Sequence, residues 1–252
     1  MLKNIDIQDI IKIAKDASVA VMEIYKKDFS VDYKDDKSPL TEADLVANEI
    51  ICSSLKKLYP HIPIMSEENK QIEYEVRKNW EYYWCIDPID GTKEFVKKNG
   101  EFTINIALIY KNRPALGVVY APVLDEIYYA KEGEGAFKDG AELPIIKDKE
   151  KFVAVASKSH RDEKTDKFIA DIQTNKEKEI RSIGSSLKLC LVASGIADIY
   201  PRFAPTMEWD TAAAHAIVLE SGGSVIEYET KQEMRYNKEN LLNNSFVVKG
   251  RG

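Results

Sequence analysis

Two carboxylates three residues apart, in Asp87-Pro88-Ile89-Asp90-Gly91-Thr92, are the side chains of this sequence best suited to chemistry. Pro88 fixes one backbone torsion and Gly91 permits a tight turn, so both acids can converge on one point just past a strand end. A hard divalent cation prefers oxygen ligands, and Asp87, Asp90 and the carbonyl of Ile89 supply three of about six. The same six residues also suit an ordinary surface turn. Three more acids are similarly double-edged. In Ser66-Glu67-Glu68, after the apolar Ile62-Pro63-Ile64-Met65, one acid can point inward beside Asp87 while the other is solvated, although Glu67 alone also reads as a surface residue. Asp210, in Trp209-Asp210-Thr211 before an Ala-rich helix, also suits a plain N-cap. Asp44 also suits an acid in a first helical turn.

The elements that must position these acids follow from periodicity. Ile10, Ile13, Ala14, Ala17, Val21 and Ile24 recur at helical spacing within residues 5–27, the mark of an amphipathic helix. A polar loop over Asp32 to Pro39 follows. Thr41 opens a second helix with Asp44 three residues on, and Ala47, Ile51, Leu55 and Leu58 share one face up to Tyr59-Pro60. Trp84-Cys85-Ile86 reads as a buried strand entering a loop at Asp87. Phe102 to Tyr110 reads as a strand buried on both faces. Gly117 to Tyr120, Glu126 to Ala130 and Ala136-Phe137 continue an antiparallel sheet at hairpin spacing. Beyond the polar stretch Ile146 to Lys151 the pattern becomes strand and helix in alternation. Strands are expected at Val153–Ala156, Ala197–Tyr200, Ser224–Glu227 and Phe246–Val248, and helices at Asp162–Gln173, Ser186–Ser194 and Asp210–Ser221. A lobe boundary is therefore expected near residue 148, dividing 1–148 from 149–252.

Composition narrows the function classes. The chain has 252 residues, 44% of them apolar, which is enough for a substantial core in one domain or two small ones. Its formal charge of −6 and pI near 5.3 argue against a nucleic-acid polymer as partner. No apolar run approaches the roughly 20 residues of a membrane span, and the first residues lack a secretion signal, so a cytoplasmic protein is expected. Cys52, Cys85 and Cys190 lie far apart among apolar neighbours and read as buried thiols.

Taken together, Thr41-Glu42-Ala43-Asp44, Ser66-Glu67-Glu68, Trp84 to Thr92 and Trp209-Asp210-Thr211-Ala212-Ala213 resemble, in order and over nearly the whole chain, the magnesium-dependent, lithium-sensitive phosphatase superfamily of inositol monophosphatases and fructose-1,6-bisphosphatases. Asp90 to Phe95, with Lys93-Glu94 where inositol phosphatases carry Thr and Asn, and Asn99 to Ala107 look like its 3′(2′),5′-bisphosphate nucleotidase branch. Ser157-Lys158-Ser159-His160, Gly184-Ser185-Ser186-Leu187-Lys188 and Tyr200-Pro201-Arg202-Phe203 are similar to that branch's nucleotide-contacting segments. Lys158 stands where the branch commonly has Arg, which removes a bidentate contact there.

The resemblance implies an α/β (α+β) fold, a layered αβαβα sandwich with the site between its lobes, and hydrolysis of the 3′-phosphate of adenosine 3′,5′-bisphosphate to AMP and phosphate. It implies two or three Mg²⁺ ions: Glu67, Asp87 and the Ile89 carbonyl on a first, Asp87, Asp90 and Asp210 on a second. Thr92 beside Asp44 would orient or deprotonate the attacking water, with Glu67 in the same catalytic group. Backbone N–H groups of Gly91 and Thr92 would hold phosphate oxygens. The spare phosphate and the base need contacts on the far wall, which Ser185, Lys188, Arg202 and His160 can supply, Asp210 completing the substrate site. Each also has a plainer reading, Lys188 as a solvated helix face, Arg202 as a surface ion-pair partner and His160 as an exposed loop residue. An inositol or sugar monophosphate is the alternative substrate, and a non-catalytic metal-dependent nucleotide-binding protein the alternative class. A monomer or homodimer is expected. No serine, cysteine or histidine nucleophile motif is present.

Overall fold

The helical spacing in the first thirty residues produces α1 (Ile7–Tyr25), capped by the Asp6 side chain accepting from the Gln8 N–H at 2.9 Å. The computed structural model describes residues 2–34, 39–145, 149–158 and 161–251. The stretch expected as a loop holds β1 (Val31–Tyr33) and β2 (Pro39–Thr41), paired antiparallel. Then α2 (Glu42–Leu58) begins at Thr41, whose N–H and hydroxyl both donate to Asp44 Oδ2, at 2.8 and 2.7 Å. The α2 face is built from Ala43, Ala47, Ile51, Cys52 and Leu55, whereas Leu58, expected on it, is 46% exposed at the last turn.

The middle of the chain forms one seven-stranded sheet, from β3 (Ile64–Ser66), β4 (Tyr82–Asp90), β5 (Thr103–Tyr110), β6 (Arg113–Ala121), β7 (Glu126–Lys131), β8 (Gly135–Lys138) and β9 (Ala141–Glu142), adjacent in that order. It is antiparallel as expected, except that β3 runs parallel to β4. Period-two alternation splits its faces. Trp84, Ile86, Ile104, Ile106 and Leu108 pack under α1 and α2, while Tyr83, Cys85, Ala107 and Ile109 face the other way. Two short helices, α3 (Tyr74–Arg77) and α4 (Thr92–Val96), flank β4 and have no periodic signature at their length.

The second sheet is five-stranded and mixed, in the order β11 (Lys178–Ile183), β10 (Phe152–Ser157), β12 (Ile199–Arg202), β14 (Phe246–Lys249), β13 (Ser224–Glu227). The edge strand β11 was not expected, because Lys178, Glu179 and Arg181 make it polar, as edge strands often are. Helices α6 (Leu187–Ala193) and α7 (Trp209–Glu220) lie between the sheets, and α5 (Glu163–Asp171) covers the outer face of the second. The layers therefore run α, β, α, β, α, the sandwich that the resemblance implies. The expected lobe boundary at 148 falls on residues 146–148, outside the described set. The central core mixes both sides of it, joining Tyr83 and Val119 to Ile217 and Phe246. All three cysteines are buried free thiols. No helix among the described residues is long and apolar enough to cross a membrane.

Helix α7 approaches the sheet closely because β6 has Gly117 beneath it. A Cβ there would sit 2.0 Å from the Ala213 carbonyl oxygen and 2.8 Å from its carbon, backbone atoms that cannot swing away. Gly117→Ala is accordingly expected to destabilise the fold by about 3 kcal/mol or more. Urea unfolding followed by circular dichroism checks this, and an unchanged midpoint would refute the close packing.

Candidate active site

Three elements bring the acids together. Because β3 is parallel to β4 with Ser66 opposite Ile86, the next residue, Glu67, falls beside Asp87, and its N–H donates to the Ile86 carbonyl at 3.1 Å. On β4, Asp87 and Asp90 would face opposite sides of a regular strand, being three residues apart. Their partners on β5, Asn105 and Thr103, are two apart, so β4 carries one extra residue. That bulge turns both acids into one cleft, and Pro88, which has no N–H to pair, sits within it. Gly91 follows at φ +94°, a left-handed conformation open to glycine, and lets the chain turn directly into α4. Asp210 comes from the first turn of α7, which starts one residue earlier than expected, so that Asp210 is not the N-cap. Its Oδ2 still accepts from the Met207 N–H at 2.9 Å.

Carboxylate oxygens of Glu67, Asp87 and Asp210 lie within 4.8 Å of one another. Asp90 lines the same cleft, with Oδ2 held by Ser186 Oγ at 2.8 Å and Asn105 Nδ2 at 3.3 Å. Ser186 Oγ also lies 2.6 Å from the Asp210 carbonyl oxygen. A hydroxyl has one proton, so Ser186 donates to one of these two oxygens at a time. Burial raises the Asp90 carboxyl above its ordinary range, and Lys188 with the hydrogen bonds from Ser186 and Asn105 counters this. Burial likewise raises Asp44 and Glu67, and raises Asp87 and Asp210 well above the usual carboxylate range; neighbouring acids add to the effect on Asp87 and Asp210.

The cation that partners Glu67 is Lys34, which no motif singles out. Its Nζ lies 2.7 Å from both Glu67 Oε1 and Glu68 Oε1. Burial lowers its pKa, and the two carboxylates outweigh that, holding the ammonium above the ordinary lysine range. Glu68 is not solvated as expected; its side chain is only 6% exposed because it shares this cation. Asp44 Oδ1 accepts from Thr92 Oγ1 at 3.2 Å, and the same hydroxyl lies 3.2 Å from the Ile89 carbonyl. One carboxylate thus caps α2 and holds the threonine at the start of α4.

Across the cleft stand Ser185, Lys188, Tyr200 and Arg202. Ser185 adopts φ +46°, a strained conformation of a kind that clusters at functional sites. Lys188 is buried, donates to the Ser185 carbonyl, and lies 5.6 Å over the Tyr200 ring. Burial pulls it down to about 8 although Asp90 counters this. Arg202 donates through Nη2 to Pro205 O at 3.0 Å, while its buried Nε has no partner among the described residues. Lys158 does not line the cleft; it pairs with Glu101 at 3.0 Å. His160 lies outside the described residues. Asn105 and Glu208 were also missed. Glu208 is fully buried before α7, accepting from the N–H groups of Asn237 and Lys238 and from Lys238 Nζ, and the adjacent acid at 210 was the available clue.

These are hard oxygen donors, mutually repelling and short of cations, a donor set that fits magnesium-like ions better than soft metals. A family model for the inositol monophosphatase family matches residues 4–250, and the chain belongs to that family, whose enzymes are metal-dependent phosphatases. It is 44% identical to the 3′(2′),5′-bisphosphate nucleotidase CysQ of Salmonella typhimurium, over 96% of this chain and 98% of that one. Among solved structures it resembles CysQ of Bacteroides thetaiotaomicron, with TM-score 0.88, 43% identity and 97% of each chain covered. An IMPase of Thermotoga maritima superposes with TM-score 0.79 at 30% identity, over 95% of this chain and 89% of that one.

Carboxyls raised in the folded state bind more protons folded than unfolded, so metal-free stability is full below the ordinary carboxylate range and declines as pH rises above it. Chelated protein should therefore melt lower at pH 8 than at pH 5.5, and Mg²⁺ should raise the midpoint more at pH 8. In Lys34→Met, where no ammonium stands against Glu67, the Mg²⁺ increment should grow. Differential scanning calorimetry checks all three, and a pH-independent Mg²⁺ increment would contradict the assignment of the acids.

Proposed function

We propose that the chain hydrolyses the 3′-phosphate of adenosine 3′,5′-bisphosphate, giving AMP and inorganic phosphate. The observation that carries this reading is a cleft with two poles: an acidic trio on one wall, and the buried cations Lys188 and Arg202 on the other. A substrate with two phosphates and a nucleoside between them matches both poles. A substrate with a single phosphate would leave the cationic wall unmatched. The relatives' names agree with it.

Glu67, Asp87 and the Ile89 carbonyl would hold one Mg²⁺, and Asp87, Asp90 and Asp210 a second, the family resemblance allowing a third. When bound, such ions neutralise the acids, lower the pKa of water and stabilise charge on the entering and leaving oxygens of an in-line displacement. The chain's own residues do the rest. Thr92 Oγ1 orients the attacking water, and the water proton passes to Thr92 as the threonine proton passes to Asp44 Oδ1, 3.2 Å away. Ser186 and Asn105 fix Asp90. Backbone N–H groups of Gly91 and Thr92 hold phosphate oxygens, and Glu67 belongs to the same catalytic group. Ser185, Lys188 and Arg202 bind the 5′-phosphate, with His160 at the nucleoside.

Phosphate release from adenosine 3′,5′-bisphosphate with Mg²⁺ tests the reading. Asp90→Asn and Asp210→Asn are each expected to lower kcat by more than about 100-fold. Lys188→Met should raise KM for the bisphosphate about 10-fold or more, the worth of one charge-assisted contact, and leave turnover of inositol 1-phosphate unchanged. Equal losses on both substrates would remove Lys188 from the nucleotide wall.

A further inference from the structure

The strands β10, β12 and β14 have two ends. At one end Ser157, Arg202 and Phe246 line the cleft. At the other, Phe152, Ile199 and Lys249 line a separate cavity of about 680 Å³, a size usual for small-ligand sites, which span roughly 300–1,000 Å³. Three to five residues of rise at about 3.3 Å each keep the two apart at opposite ends of these strands.

This second cavity has a consistent chemistry. Its wall is apolar: Phe152, Phe168 and Ile172 are only partly buried where they close the small core between α5 and the sheet. Its rim is cationic. Lys149 is neutralised by Asp198 at 2.8 Å. Lys249 and Arg251 are exposed and stand without a carboxylate partner among the described residues. Two cations without a carboxylate partner among the described residues, at one cavity mouth, run against the net charge of −6. An inorganic anion would satisfy the rim and leave the aromatic wall wet. A neutral apolar molecule would cover the wall and leave the rim unmatched. We propose that this cavity is a second ligand site, taking an organic anion with a ring-sized apolar body and one acidic group.

The probe is 8-anilinonaphthalene-1-sulfonate, titrated into the full chain with Mg²⁺ present and followed by fluorescence. One saturable site is expected. The surface double variant Lys249→Gln/Arg251→Gln should weaken it about 10-fold, since charge-assisted contacts are worth that much or more, and should keep its hydrolytic activity. Ile172→Trp, which fills the cavity, should abolish binding while the thermal midpoint confirms folding. The uncharged N-phenyl-1-naphthylamine should bind at least 10-fold more weakly than the sulfonate. Non-saturable binding, binding unchanged in the double variant, or equal binding of the uncharged probe would overturn the proposal.

Discussion

The constraint that governs this molecule is the confinement of like charges. Left to themselves, carboxylates within 4.8 Å of each other and shielded from water separate or take up protons. Here separation is blocked, because three rigid elements fix the acids. Glu67 is set by the parallel register of β3 on β4, Asp87 and Asp90 by the bulge of β4, and Asp210 by a helix pinned against the sheet. What remains is neutralisation, by protons, by Lys34 or by a divalent ion. The fold thus stores electrostatic free energy that a cation releases, and affinity for that cation is the counterpart of the strain.

The polar shell around the acids follows the same logic. Ser186 and Asn105 come from different sheets' neighbourhoods and meet at Asp90, so its orientation depends on both halves being in place. Asp44 links the N-terminus of α2 to Thr92, so an ordinary helix cap is also a site contact. On the facing wall, burial pulls Lys188 down to about 8, against the Tyr200 ring, so it stays largely charged at neutrality. An anion arriving there stabilises that charge further.

Much of this was legible in the sequence, and the reasons for what was not are specific. The long helices and the paired strands declared themselves by period, whereas the acids at 67, 87, 90 and 210, each ambiguous by residue type alone, were singled out by the resemblance that their motifs carry together. The short α4 and the polar β11 carry too few periodic residues to register. Lys34 sits in a polar stretch where many lysines look alike, and only the pairing of β1 with β2 brings it to Glu67. The expectation that Glu68 is solvated failed for the same reason. The bulge was half visible: Pro88 and Gly91 signalled an irregularity, but which face Asp90 takes depends on a register that one strand does not reveal.

The position of α6 and α7 has a consequence for how the protein comes into being. Both faces of the first sheet are apolar, yet only α1 and α2 are made before it. A chain emerging from the ribosome as far as β9 presents Tyr83, Ala107, Ile109, Val119 and Tyr128 bare to the medium until α7 follows. Open strands with an uncovered hydrophobic side are prone to stick to one another. Biogenesis of this sandwich therefore has a vulnerable interval, set by chain order, in which an apolar β surface stands uncovered.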